Sequence, residues 1–320
     1  MIRVIKTEGF GNIQLEDVPV PEIDSQQVLI KTHVTLISRG SELFRRYILE
    51  EAVPHSMMGY SLAGVIEKTG ADVTDYQVGQ KVMAVAPHAE YAVKNVFTES
   101  ERLCPVADDV SFEEATFLPL ATSAVAWSDS SDVQSGDTIA ILGQGLVGSL
   151  MLQVLRGFDP QQIIVVDALA LRCQLADQLG ADAVINAADE DPVAAVKKLT
   201  DGKGVDLVID CVGGHAGIKS FAQAQEMVRV RGTIQLIALY QQAPLQLDSS
   251  KIMNRRLVAG ILSDEPRSET MMRALEKIRS GEVQASRMIT HRFPHLQAKE
   301  AFDLLWHSPD ETLGVLMTWQ

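Results

Sequence analysis

Gly143-Gln144-Gly145-Leu146-Val147-Gly148 reads G-x-G-x-x-G, and its surroundings decide the fold. Thr138 to Leu142, just before it, is a short apolar run with the length of a buried strand. Leu146 to Leu155, just after it, is apolar nearly all round, as an enclosed helix is. A second apolar strand, Ile163 to Val166, ends at Asp167, nineteen residues beyond Gly148. Strand, glycine turn, helix, strand and acid in that order predict a dinucleotide-binding turn. Gly143 permits the tight turn, Gly145 leaves room for a pyrophosphate against the backbone, and Gly148 lets helix and strand pack closely. The amides of residues 143–148, those of Gln144, Leu146 and Val147 among them, open the helix, whose positive dipole end favours phosphate. Asp167 can accept the ribose hydroxyls and repels a 2′-phosphate, so NAD(H) is expected over NADP(H). The competing reading makes Asp167 a loop cap, with Arg172 close enough to tolerate a phosphate.

Outward from this turn the alternation continues. Arg172 to Leu179 is an amphipathic helix stopped by Gly180, and Val205 to Ile209 and Thr233 to Ala238 are further strands. This is the rhythm of a doubly wound parallel sheet. The first third differs: Gln27 to Val34, Gly64 to Gly70 and Gln80 to Val85 are short strands between turns, as in a compact β-barrel unit. Ser111 and Glu114 have capping-box spacing where the texture changes. In the tail, Met271, Met272, Leu275 and Ile278 mark one helical face, Ala298 to Leu305 a second helix and Leu313 to Thr318 a last strand. The fold class is therefore α/β.

Length and charge limit the function. A chain of 320 residues, 46% hydrophobic, suffices for about two domains. A net charge of −14 speaks against nucleic acid or an anionic membrane as partner. No apolar run reaches the ~18 residues of a membrane span, and the first ten residues lack a signal-peptide core. Cys104, Cys173 and Cys211 lie far apart without a C-x-x-C, as reduced thiols of a cytoplasmic protein would.

End to end, the chain resembles the medium-chain dehydrogenase/reductase superfamily. Residues 70–82 resemble its G-x-x-V-x-x-(F/Y)-x-x-G-(D/Q)-x-V, Leu179-Gly180-Ala181-Asp182 its L-G-A-D, and Ile289-Thr290-His291-Arg292-Phe293-Pro294 with Ala301-Phe302-Asp303-Leu304-Leu305 its C-terminal signature. The resemblance implies a GroES-like catalytic domain over residues 1–115, a Rossmann domain over 116–262, and a return to the first domain over 263–320. It also implies a homodimer, through an edge strand around residues 256–261, and further cofactor contacts: Arg172 near the adenosine, and Cys211, Val212, Gly213, Ala238 and Leu239 near the nicotinamide ribose and carboxamide.

The departures are informative. Zinc members read C-G-(T/S)-(D/E) at the first metal ligand, where this chain has Arg39-Gly40-Ser41-Glu42. They read G-H-E at the second, where this chain has Gly59-Tyr60-Ser61, and Leu118-Pro119-Leu120 near the third offers apolar side chains. The lobe with four clustered cysteines is missing. No zinc is expected at either site. Residues 37–42 and 59–64 are similar to a branch with I-S-x-G-T-E and G-Y-S-x-x-G that includes bacteriochlorophyllide dehydrogenase-like proteins.

Without a metal, hydrogen-bond donors and a general acid or base must handle the substrate oxygen. Ser41 matches the family's hydroxyl relay position, Tyr60 stands at a ligand position, His88 is expected on a strand lining the substrate pocket of relatives, and Arg39 offers a fork of donors. Each has a plainer reading, as packing, pocket wall or ion pair, and Glu42 reads as loop support. The chain is expected to be a metal-free NAD-dependent dehydrogenase of a polar secondary alcohol or ketone, a polyol or sugar derivative. The alternatives are a zinc-free quinone or enone reductase and a non-catalytic dinucleotide-binding redox sensor.

Overall fold

Apolar runs too short for helices become the central strands of this protein, and the polar residues between them become turns. The computed structural model describes residues 1–98, 103–239, 243–262 and 264–319. It divides into two units: Met1–Pro119 with Pro266–Arg279 and Ala285–Gln320, and Leu120–Glu265 with Ser280–Gln284.

The strands of the first unit begin with the hairpin β1 (Ile2–Lys6) and β2 (Ile13–Asp17), followed by β3 (Gln27–Leu36), β4 (Ser61–Thr69), β5 (Lys81–Ala84), β6 (Tyr91–Asn95) and β7 (Leu103–Pro105). Two short helices, α1 (Phe112–Ala115) and α2 (Leu118–Ser130), lead to the second unit. The expected capping box forms at α1: Ser111 accepts from the Glu114 amide and Glu114 reaches back to the Ser111 amide.

The second unit alternates β8 (Thr138–Leu142), α3 (Leu146–Arg156), β9 (Gln162–Asp167), α4 (Ala170–Gln178), β10 (Ala183–Asn186), α5 (Pro192–Leu199), β11 (Val205–Asp210), α6 (Ala216–Met227), β12 (Val228–Leu236), α7 (Ser249–Ile252) and β13 (Arg256–Ala259). Its six strands are all parallel and run β10-β9-β8-β11-β12-β13. That is the doubly wound order, with its switch point between β8 and β11. Both faces of the central strands are covered, which is why they are continuously apolar; Ala140, Ile164, Val208 and Ile234 share one buried cluster with Phe221 and Met227 of α6. The strand expected at residues 233–238 is longer at its start, running from Val228 with a register shift against β11.

The chain then returns to the first unit through α8 (Arg267–Arg279), β14 (Ile289–Pro294), α9 (Ala298–His307) and β15 (Gly314–Thr318). The first unit's main sheet runs β14-β15-β3-β4-β5-β7, with β6 also on β3. Ten-residue β3 can serve three partners because it is bulged twice, near Leu29 and near His33. On α8, Met271, Leu275 and Ile278 are buried as expected, whereas Met272 is 55% exposed. One residue is 100° of helical turn, so adjacent methionines cannot share a face.

One substitution tests the strand–helix fit in the second unit. A Cβ on Gly148 would lie 1.9 Å from the Gly143 carbonyl oxygen, whereas one on Gly145 would meet nothing within 4 Å. Overpacking of this kind costs about 1–3 kcal/mol, so G148A should lower the melting temperature by about 5–10 °C while G145A leaves it unchanged. Thermal denaturation of the two variants checks this.

Candidate active site

In the second unit the C-terminal ends of the parallel strands gather the residues expected to hold a dinucleotide. Gly143 has φ +85°, and a Cβ there would lie 2.7 Å from Val212 Cγ2, so only glycine lets the turn after β8 pack on the turn after β11. The open space at Gly145 and the tight contact at Gly148 leave the N-terminus of α3 uncovered at one glycine and seated on the strand at the other. The Ile237 and Ala238 amides donate to the Asp210 carbonyl at 3.0 and 2.9 Å, and a Cβ on Gly213 would touch the Leu239 carbonyl oxygen. Residues 143–148, 211–213 and 238–239 are thus brought together at the switch point. Gln144 is fully buried, and neither atom of its side-chain amide has a partner among the described residues.

Asp167 ends β9 as expected, but its oxygens are already engaged. Oδ2 accepts the Gln144 amide at 2.6 Å, Oδ1 accepts the Leu169 amide at 2.9 Å, and Arg172 stands 3.7 Å away. The carboxylate therefore does cap the loop, and it keeps lone pairs for further donors. The turn offers the amides that open α3, open space at Gly145 and a carboxylate at the end of the next strand, a set of groups that fits a nicotinamide dinucleotide.

Asp210 was not singled out by its sequence context, although an acid closing the apolar run Val205–Asp210 is visible there. It is fully buried; Oδ1 accepts the Ser220 hydroxyl at 2.7 Å and the Val212 amide at 3.2 Å, while Oδ2 has no partner among the described residues. Burial pushes its carboxyl from 3.8 up to about 6, and it pushes the neighbouring Cys211 thiol well above the usual range.

In the first unit, Arg39–Tyr47 forms a nine-residue stretch of π-helix, a wide turn often found at functional sites. Leu43 and Tyr47 anchor it in a core with Met58, Phe302 and Leu305; Tyr47 stacks 6.2 Å from Phe302 and donates to Asp303 at 2.7 Å. Burial, and after it the bond to Asp303, holds the Tyr47 phenol well above its usual range. The same packing turns Glu42 inward, where both it and His88 are completely shielded from solvent. Glu42 Oε2 accepts the Ser38 amide and Oε1 meets His88 Nε2, each at 2.7 Å.

His88 was expected on a strand; it lies instead in the loop between β5 and β6, one residue before the isolated bridge of Ala89 to Arg3. Its amide donates to the Met58 carbonyl at 2.7 Å, and its carbonyl accepts the Val4 amide at 2.9 Å. Gly59, with φ +134°, makes this approach possible, since a Cβ there would lie 2.4 Å from the His88 nitrogen. Ser41 is half-buried, its amide bonded to the Ser38 hydroxyl at 3.3 Å, and Tyr60 is half-buried just before β4. Arg39 turns toward α9: its guanidinium donates to the Leu305 carbonyl at 2.5 Å and lies 5.9 Å over the Phe44 ring.

Residues 147–279 match the family described as zinc-binding dehydrogenase, and residues 24–122 the family described as alcohol dehydrogenase GroES-like domain. Among curated relatives, sorbitol dehydrogenase of Bacillus subtilis is 26% identical over 341 residues, covering 95% of this chain and 94% of its own. D-arabitol-phosphate dehydrogenase of Enterococcus avium is 26% identical over 327 residues, covering 92% and 91%. Alcohol dehydrogenase TADH from Thermus sp. ATN1 shares the fold with a TM-score of 0.83 at 24% identity, covering 99% of each chain. Galactitol-1-phosphate dehydrogenase from Escherichia coli shares it with a TM-score of 0.85 at 16% identity, covering 99% of this chain and all of its own. The chain belongs to the medium-chain dehydrogenase/reductase superfamily and is an oxidoreductase of the alcohol dehydrogenase type.

The family implies zinc, and the donor set does not suit it. Where the sequence resembles the ligand motifs of zinc members it holds Arg39, which donates from Nη1 to the Leu305 carbonyl, the phenol of Tyr60 and the apolar Leu118-Pro119-Leu120. Among the described residues no three His, Cys, Asp or Glu side chains group as a metal site would need.

Asp210 gives a pH prediction. Its folded-state carboxyl is raised, so its contribution to stability is complete below about pH 3.8 and is lost as the pH climbs through about 6. That change is worth about 3 kcal/mol. In D210N the loss is absent, so the stability difference between variant and wild type should move in the variant's favour by up to about 3 kcal/mol from pH 4 to pH 7. Urea unfolding of both proteins at the two pH values measures it.

Proposed function

We propose that this protein is an NAD-dependent, zinc-independent dehydrogenase that moves a hydride between the nicotinamide and a polar secondary alcohol or its ketone, of polyol or sugar type. The observation that carries this reading is the glycine turn closed by Asp167, whose carboxylate holds the Gln144 amide at 2.6 Å and whose negative charge at the end of β9 would repel a 2′-phosphate. Bound NAD would supply the hydride acceptor. The amides that open α3, from Gly145 to Gly148, would hold its diphosphate, those of Gly143 and Gln144 being bonded to the Val166 carbonyl and to Asp167; Asp167 would hold its ribose, and the loops at 211–213 and 238–239 its nicotinamide end.

The zinc-independent half is supported by the donor set of the first unit. In place of a Lewis acid, the Ser41 and Tyr60 hydroxyls would orient the substrate oxygen and His88 would take its proton. Arg39 donates from Nη1 to the Leu305 carbonyl, which anchors the loop, and its remaining N–H groups would be donors for the substrate oxygen. The polyol dehydrogenases among its relatives favour a hydroxyl-rich substrate over an enone.

Fluorescence titration should show NADH binding at least about tenfold tighter than NADPH, and D167A should erase most of that preference. Tighter NADPH binding by the wild type would refute the role of Asp167. Turnover on a panel of polyols with NAD, against enones with NADH or NADPH, decides between the dehydrogenase and the enone reductase; cofactor binding without turnover of either would instead mark a redox sensor.

The reading extends to a homodimer in a reducing, cytoplasmic setting, where Cys104, Cys173 and Cys211 remain thiols. Strand β13 is the edge of the parallel sheet, and Leu257, Ile261 and Leu262 are exposed beside it. An unpaired apolar edge invites pairing with a second copy. L257K and I261K should each shift sedimentation toward the monomer, whereas an unchanged profile would exclude this edge.

A further inference from the structure

We propose that the first unit carries a second ligand site, built from none of the residues assigned above to cofactor or substrate: a cleft on its main sheet that takes a zwitterion, an α-amino acid with an apolar side chain. The site lies wholly within the first unit and does not rest on the dehydrogenase reading.

The cleft follows from the way β3 is shared. Strand β4 lies along one edge of β3, over residues 28–36. The other edge is divided, with β6 on residues 27–31 and β15 on residues 34–36. Both run antiparallel to β3, so the start of β6 and the end of β15 meet end to end. At this junction the Thr32 amide donates to the Glu90 carbonyl at 2.9 Å and the Trp319 amide to the His33 carbonyl at 3.0 Å. Two strand ends cannot cover a sheet as one continuous strand does. A cleft of about 650 Å³ opens there, walled by residues of β3 and β4, the start of β6 and the end of β15. That volume is ample for a small molecule.

The walls carry charge of both signs. Lys31 and Glu67 are exposed, and neither side chain has an ionic partner among the described residues. His33 and Glu90 are half-buried and line the same cleft. Glu90 gives Oε2 to the Ile2 amide, at 2.6 Å, and keeps Oε1. Burial first, then the charges of Lys31 and Lys81, disfavours protonation of His33, so its ring offers one N–H and no third positive charge. The sheet register sets the order: Val65 of β4 and Tyr91 of β6 stand directly opposite Lys31, one on either side. Glu67 is two residues along from Val65, which makes it the diagonal neighbour of Lys31, at a spacing of about 7–8 Å.

Lys31 and His33 thus offer donors, Glu67 and Glu90 offer carboxylate oxygens, and Val65, Tyr91 and Trp319 supply apolar wall. A simple anion is repelled by the two carboxylates, and a simple cation leaves Lys31 unmatched. A neutral polyol compensates neither charge. An α-amino acid presents an ammonium and a carboxylate on one carbon, so it spans the diagonal pair and answers both signs at once. Its apolar side chain then lies against Val65, Tyr91 and Trp319. Binding is reversible and forms no covalent bond.

Calorimetric titration of the full chain at pH 7 tests this with L-leucine, with leucinamide, which lacks the carboxylate, with N-acetyl-leucine, which lacks the ammonium, and with sorbitol. L-leucine should bind, and each single-charge derivative should bind at least about tenfold more weakly. K31A and E67Q should each weaken L-leucine at least about fivefold while the melting temperature stays within about 2 °C of wild type. A wild-type crystal soaked in L-leucine should show the molecule between Lys31 and Glu67, which places the site even if a variant does not fold. No binding of L-leucine up to about 10 mM overturns the proposal. So does a single-charge derivative that binds as tightly as L-leucine, an affinity that both substitutions leave unchanged, or L-leucine seated only elsewhere in the crystal. Sorbitol bound in this cleft in preference to L-leucine overturns it too. Because cofactor binding and polyol turnover are read separately, the failure of the dehydrogenase reading leaves this proposal standing, and the reverse.

Discussion

A carboxylate shut away from water must be surrounded by donors, and in the first unit Glu42 meets that demand with one backbone amide and one imidazole. The choice of partners ties together pieces that are far apart in the chain. The amide comes from Ser38, at the mouth of the π-helix, and the ring comes from His88, in a loop strapped to Met58 and to β1. Phe302 of α9 backs both His88 and Tyr47, so the returning C-terminal segment is part of the same support. Remove either charge partner and a buried polar group is left unpaired, which costs more than the pair itself contributes. The loop is held by Glu42 from within and by the Arg39–Leu305 bond from without.

The second unit meets a different constraint, the close approach of backbone to backbone. The turn after β8 is squeezed between α3 and the Val212 turn, and glycine is the only residue that fits at either contact. Asp167 completes it by taking the Gln144 amide. One carboxylate thus fixes the turn through the Gln144 and Leu169 amides and, in the proposed reading, would also set the charge beside the cofactor's ribose. Asp210 plays the corresponding structural part on the other side of the switch point, joining the turn after β11, through Val212 and through Ile237 and Ala238, to α6 through Ser220.

Much of this was legible in the sequence, and the reasons are physical. The parallel strands announced themselves because strands buried on both faces have no polar alternation to blur them, and the glycine turn because its spacing reflects contacts of fixed length. The family signatures at residues 70–82 and 179–182 did the same for the GroES-like and Rossmann units. What could not be read is side-chain direction. Met272 looked like its neighbour Met271 but faces water. His88 was legible as a candidate, yet its placement in a loop, and its pairing with a glutamate 46 residues earlier, depend on how β1, the π-helix and α9 meet. Glu42 read as loop support, which it is; its second contact has no signature in local sequence. Arg39 offered a fork of donors in the sequence, and its Nη1 donates to a carbonyl 266 residues away, a contact no local pattern announces.

In the proposed reading, hydroxyl and imidazole groups act at the substrate oxygen in place of a metal ion. Elemental analysis of the purified enzyme, followed by turnover of a polyol with NAD before and after exhaustive dialysis against a chelator, tests this most directly. A metal-free enzyme should carry less than about 0.1 zinc per chain and turn over at the same rate on both sides of the dialysis. About one zinc per chain, with a rate that falls on chelation and returns when zinc is added back, would contradict it.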